Sequence, residues 1–229
     1  MTIEEIKSGI IYEDKHILVC RKPAGFPVQT RKINLQDMET LLLSYLTGKG
    51  EAPYLAVIHR LDQPVEGILV FGKTKEAAKE LNKQMQNNQM EKYYLAAVRG
   101  IPERKEGRLE NYLLKNGRTN TSEIVTKNTP QSKKAVLEYK VLKEKENAAL
   151  LEIHLLTGRH HQIRVQMAGA GYPLLGDVKY NAFKEEDSWK QIGVCAYRLS
   201  FYHPYKKKKM EFSVDPSGGF CQFAEKNVD

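Results

Sequence analysis

The chain is predicted to be an α+β protein built on a mixed, largely antiparallel sheet with flanking helices. Its apolar runs come mostly in pairs separated by short polar turns, the signature of hairpins. Few segments have helical periodicity, and they do not alternate regularly with strands as a doubly wound parallel sheet requires. The 229 residues are 41% hydrophobic, enough for a substantial core. The default reading is a single domain over 1–229, whether compact or two-lobed.

Along the chain, Thr2 and Glu5 have capping-box spacing and predict a short first helix. Ile10–Tyr12 and His16–Cys20 read as a hairpin turning at Glu13, Asp14 and Lys15. Pro23, Gly25 and Pro27 then break the chain into the loop RKPAGFPVQ. Asp37 is placed to cap a helix carrying Leu41, Leu42, Tyr45 and Leu46 on one face, with Gly48 at its end and a loop containing Pro53 beyond. Val57–Ile58 and Ile68–Phe71 bracket HRLDQPVEG, where Pro64 and Gly67 oppose a continuous element, so Asp62 is expected on a loop between strands. Thr74 caps a longer helix with Ala78, Leu81 and Met85 in a stripe, and Tyr93–Val98 returns as a strand.

Residues 100–129 are rich in charge, Gly and Asn and read as loops with short strands. Val136–Leu142 should pair with Leu150–Leu156 across a turn near Glu144–Asn147, and Ala196–Tyr202 with Met210–Val214. The second of these turns holds Lys206, Lys207, Lys208 and Lys209, a concentrated positive field.

A net charge of +8 and a pI near 9.2 favour a polyanionic partner. No stretch approaches the ~20 apolar residues of a membrane helix, and MTIEEIKSGI lacks the regions of a signal peptide, so a soluble, cytoplasmic protein is expected, with no membrane partner. Cys20, Cys195 and Cys221 are far apart and form no CxxC, so neither disulfide nor zinc site is expected. HRLD is not the kinase loop, since neither H-R-D nor D-F-G is present. GAGYPLLG has Leu174 at the third glycine position of a dinucleotide fingerprint and Pro173 where its helix should begin.

Three segments occur in order: HRLDQPVEGILVFGKT from His59, KYYLAAVRG from Lys92, and LLTGRHHQIRVQMAGAGYPLLGD from Leu155. Together with the opening IIYEDKHILVCRKPAGFPVQ they resemble the RluA-type RNA pseudouridine synthases, and the resemblance covers residues 10–215. It implies a catalytic fold with a central basic cleft for RNA. The pattern begins at Ile10, so a catalytic domain without an N-terminal RNA-binding domain is expected. The implied reaction isomerises a uridine of ribosomal or transfer RNA to pseudouridine, with no cofactor and no metal, by a monomer. A non-catalytic RNA-binding protein on the same scaffold is the alternative.

By the same resemblance, Asp62 is the catalytic carboxylate, acting on the sugar or on the ring. Arg164 is the cation that pairs with it, through the planar two-point geometry a guanidinium offers. Tyr94 stacks near the base and takes part in removing the ring proton, although Tyr93 lies one residue away on the opposite strand face. Arg60 matches the residue that fills the place of the extruded base. His59, His161 and Gln162 are candidate RNA or pocket contacts, with His161 packing or hydrogen-bonding and not serving as a general base. The chain departs from the family at Val65-Glu66, where Thr-Ser is usual, and at His160. Glu66 is expected to add negative charge beside the loop and to repel RNA phosphate.

Overall fold

In the computed structural model, residues 2–32, 34–50, 54–182 and 189–223 are described. The chain forms two compact units, residues 1–91 with 196–215 and residues 92–195 with 216–229.

The first unit opens with α1 (Ile3–Ser8), whose Thr2 and Glu5 exchange both bonds of a capping box. Strands β1 (Ile10–Glu13) and β2 (Ile17–Lys22) form the expected hairpin. Its turn is fixed by Asp14, whose Oδ1 accepts from the N–H groups of His16 and Ile17. Helix α2 (Met38–Gly48) is capped by Asp37, which also accepts from the Thr30 N–H and so fastens the preceding loop. Pro53, expected in the loop after α2, lies outside the described residues.

Strand β3 (Ala56–Val57) is short, and β4 (Glu66–Gly72) is buried along its whole length. Both β2 and β3 pair antiparallel with β4. Helix α3 (Lys75–Gln86) follows from its Thr74 cap. Ala77, Ala78 and Leu81 of α3 pack with Ile17 and Val19 of β2 and Ile68 and Val70 of β4, residues that alternate along their strands onto one face.

The second unit is a five-stranded antiparallel array. It comprises β5 (Glu91–Arg99), β6 (Glu106–Asn116), β7 (Thr121–Val125), β8 (Lys133–Lys145) and β9 (Ala148–Leu155), in the order β5-β9-β8-β6-β7. Helix α4 (Gln162–Gly169) lays Val165 on Leu113 of β6 and Ala135 of β8. Residues 100–129 were expected to be loops with short strands; β7 is such a strand, but β6 is eleven residues long. Among its eleven residues, Leu113 alone is fully buried, so periodicity carried almost no signal. The strand exists because it has ladder partners on both edges, β7 and β8, which are distant choices of tertiary structure.

Back in the first unit, β10 (Val194–Tyr202) and β11 (Lys209–Ser213) form the expected second hairpin. Strand β10 passes so close to β4 that a Cβ built on Gly67, at φ +135°, would lie 2.4 Å from the carbonyl oxygen of Ala196. Replacing Gly67 by Ala is therefore expected to lower stability by roughly 2–4 kcal/mol, through steric overlap and a backbone angle that side chains disfavour. Urea unfolding measures this, and an unchanged midpoint would mean that β10 yields without cost.

Candidate active site

In the first unit the H-R-L-D segment leaves β3 and enters β4 through a tight turn in which the Asp62 carbonyl accepts from the Val65 N–H at 3.0 Å. Asp62 is half-buried, Arg60 is exposed and His59 is buried. The Nε2 of His59 accepts from the Val70 N–H at 3.4 Å, so its ring is turned into the unit at the root of the loop. Of the two residues expected to meet RNA in this segment, Arg60 has the exposure and His59 does not.

A residue that sequence reasoning missed holds this loop. Lys22 has no exposed surface, and its Nζ donates to the carbonyl oxygens of Pro23, Phe26 and Gln63 at 2.9, 2.7 and 2.9 Å. Gly25 adds two further links, its N–H donating to the Gln63 carbonyl while its own carbonyl accepts from Gln63 Nε2. The K-P-A-G-F loop and the aspartate loop are thus fastened together through one ammonium. Burial pushes Lys22 down to about 7, opposed by the negative charges of Asp62 and Glu66. At and below neutral pH its three N–H groups match three carbonyls, which a neutral amine could not do.

Glu66 places its negative charge beside the loop, as expected, where it acts on Lys22. It is buried and accepts from Arg21 at 2.8 Å across β2 and β4. Glu66, one of the departures from the family pattern, is thus held in an ion pair with Arg21.

In the second unit, Arg164 is buried on α4 and not on a solvent face. Its Nε and Nη2 donate to the two carboxylate oxygens of Asp177 at 2.8 and 2.7 Å, a bidentate fork with almost no exposed surface. Asp177 also accepts from the N–H groups of Lys179 and Tyr180, which fixes the carboxylate in turn. The Tyr180 ring lies 5.2 Å from the guanidinium carbon.

His161 caps α4 with left-handed backbone, and its Nδ1 lies 2.8 Å from the Tyr180 hydroxyl. That hydroxyl accepts from the Ser122 N–H, so its own proton points to Nδ1 and the proton of a neutral ring falls on Nε2. Burial first, then the Arg164 charge, pushes His161 down to about 3. A ring that stays neutral fits the packing role expected of it. Gln162 commits its whole carboxamide internally, accepting from Thr157 Oγ1 and the Arg159 N–H and donating to the Val136 carbonyl. It holds the T-G-R loop in place.

On β5, Tyr93 stacks on His154 at 4.4 Å between centroids and stays half-exposed, whereas Tyr94 is buried on the opposite face opposite Ile153. Stacking on His154 gives the Tyr93 ring a structural occupation.

The lysine tip is also corrected. Lys206 bonds to Asp14 and to the Tyr12 hydroxyl, Lys207 pairs with Glu80 and Lys209 with Glu91. Three of the four positive charges are matched by carboxylates distant in sequence, so the local field is much weaker than the run suggests. Among the described residues no group of His, Cys, Asp and Glu could hold a metal ion.

Residues 16–169 match the family model for RNA pseudouridylate synthase. That stretch contains Asp62, Tyr94 and Arg164. The chain belongs to the RNA pseudouridylate synthase family. It is 34% identical over 226 residues to an uncharacterised RNA pseudouridine synthase of Aquifex aeolicus, covering 93% of this chain and 70% of that protein. It is 30% identical to the ribosomal large subunit pseudouridine synthase D of Zymomonas mobilis, with the same coverage. The fold matches the solved structure of human RNA pseudouridylate synthase domain containing 4, with a TM-score of 0.77 at 21% identity over 93% of this chain and 90% of that one. The family is one of isomerases, and the pseudouridine synthase fold accounts for the α+β architecture.

Two outcomes follow for Lys22. Lys22→Met takes the ammonium from the Pro23 and Phe26 carbonyls and leaves the Gln63 carbonyl with only the Gly25 N–H, and should cost about 3 kcal/mol or more in urea unfolding. Because its folded value near 7 lies below the ordinary 10.5, the unfolded chain binds more protons between those limits. Wild-type stability should therefore gain from Lys22 as pH rises from about 7 to 10.5, by at most about 1.4 kcal/mol per pH unit. The increment should vanish in Lys22→Met, and identical pH dependence in both would show that the ammonium is not held as described.

Proposed function

We propose that the chain converts a uridine of ribosomal or transfer RNA to pseudouridine without a cofactor, with Asp62 as its catalytic carboxylate. The observation that carries this reading is the presentation of Asp62, half-buried on a loop fastened by a buried cation, with an exposed arginine two residues before it. In the reaction the bond between uracil N1 and ribose C1′ breaks, the ring turns, C5 bonds to C1′, and the C5 proton leaves while N1 gains one. Attack on the sugar and attack on the ring both use the same ionised oxygen of Asp62.

Family resemblance supplies the other roles. Arg164 pairs with Asp62 and keeps it ionised, Tyr94 lies along the base and takes part in moving the C5 proton, and Arg60 fills the space left by the extruded nucleotide. The fork to Asp177 supports the role of Arg164, because a guanidinium locked along its Nε–Nη2 edge can offer its remaining edge in only one orientation. The relative named for the large ribosomal subunit makes that RNA the first substrate to try.

The reading is tested by incubating the protein with unmodified large-subunit ribosomal and transfer RNA transcripts and mapping pseudouridine. One or a few converted positions are expected, and none in either RNA would contradict it. Under saturating RNA in single turnover, Arg164→Lys should slow the chemical step and Arg164→Met should slow it further, with the pH profile displaced upward because an unpaired Asp62 is harder to ionise. A wild-type rate and profile in Arg164→Met would remove Arg164 from the mechanism.

A further inference from the structure

The T-G-R loop carries a feature that the roles above leave unused. Lys92 stands two residues before Tyr94 on β5, so its side chain leaves the same strand face, roughly 7 Å along the strand. Its Nζ reaches the loop, lying 3.7 Å from where a Cβ on Gly158 would sit. Arg159 is next in the chain, and its charge acts on Lys92, which is pushed down first by burial and then by this like-charged neighbour.

The loop cannot swing to separate the two cations. Gln162 Oε1 holds the Arg159 N–H and the Thr157 hydroxyl, Thr157 Oγ1 accepts from the Val136 N–H, and Arg159 Nε donates to the Lys134 carbonyl. Lys134 is itself paired with Glu110. Among the described residues neither Lys92 nor Arg159 has a carboxylate partner. The Lys92 ammonium beside Gly158 and the Arg159 guanidinium one residue further on carry like charge, and their repulsion is relieved when an anion enters.

The geometry points to a phosphate-binding site made by Lys92, Arg159 and the open backbone at Gly158, which takes an RNA backbone phosphate next to the nucleotide facing Tyr94. The site rests on the reading of the chain as an RNA-modifying enzyme and adds a contact that positions the target. Gly158 matters because any side chain there would stand against the lysine ammonium, where the phosphate oxygen has to go.

The test is RNA binding by the full chain to an unmodified large-subunit ribosomal RNA transcript, measured from about 0.05 to 0.2 M salt. Lys92→Gln should weaken binding and lower the slope of log affinity against log salt by roughly 0.7–0.9, the loss of one phosphate contact. Lys92→Arg should restore both. Because Lys92→Gln removes a repulsion in the free protein, its melting temperature should equal or exceed wild type, whereas a lysine needed for folding would lower it. An unchanged slope in Lys92→Gln overturns the proposal. It is equally overturned if inorganic phosphate raises the melting temperature of the wild type alone while the RNA slope stays the same, since the site would then take a free anion. Conversion of uridine by the wild type on the same transcript is read in parallel. Unchanged slope with conversion intact removes the phosphate site alone, and absent conversion removes the enzymatic reading.

Discussion

An ammonium with no exposed surface and three carbonyl acceptors is an expensive way to join two loops, and the aspartate loop is built around one. A charge taken out of water destabilises the fold unless every donor is matched, and Lys22 matches all three. The same constraint recurs at two other buried charges. Arg21 answers Glu66 in the first unit, and Arg164 is forked onto Asp177 in the second. Such pairs add little net stability compared with apolar packing, but breaking one is costly, so each fixes the position of its elements. The aspartate loop and α4 inherit that fixity.

Burial also separates motif residues that stay exposed from those that are committed inside the units. Arg60 and His59 are adjacent in sequence, yet one is exposed and the other accepts a backbone N–H inside the unit. Gln162 and His161 follow the same logic, their polar atoms committed to the T-G-R loop and to Tyr180. Tyr93 and Tyr94 divide by strand alternation, one stacked on His154 and the other buried opposite Ile153. Only a small subset of the polar residues that the motifs contain is thus left uncommitted to the fold by these contacts.

Much of the fold was legible because its signals are local. Thr2, Asp37 and Thr74 each cap the helix expected of them, and three hairpins lie where paired apolar runs placed them. The Asp62 loop was legible for the same reason, since Pro64 and Gly67 interrupt the strand around it. The failures concern partners far away in the chain. Strand β6 has little apolar pattern and depends on β7 and β8, and the lysines of the β10–β11 turn are neutralised by Asp14, Glu80 and Glu91. Lys22 gives no such signal because lysine is ordinarily exposed, and its one local hint is its place before Pro23 in the family-like opening segment. Asp177 stood at the end of a quoted motif, thirteen residues from Arg164, with no periodic spacing to join them.

The fastened loops and forked arginine matter to function only if they serve the carboxylate of Asp62. The direct measurement is tritium release from RNA labelled at uridine C5, in single turnover, for wild type and Asp62→Asn at equal RNA occupancy. The account predicts release by the wild type and a loss of about 10⁴-fold or more in Asp62→Asn, with folding and RNA binding retained. Release by Asp62→Asn at a rate near wild type would contradict it.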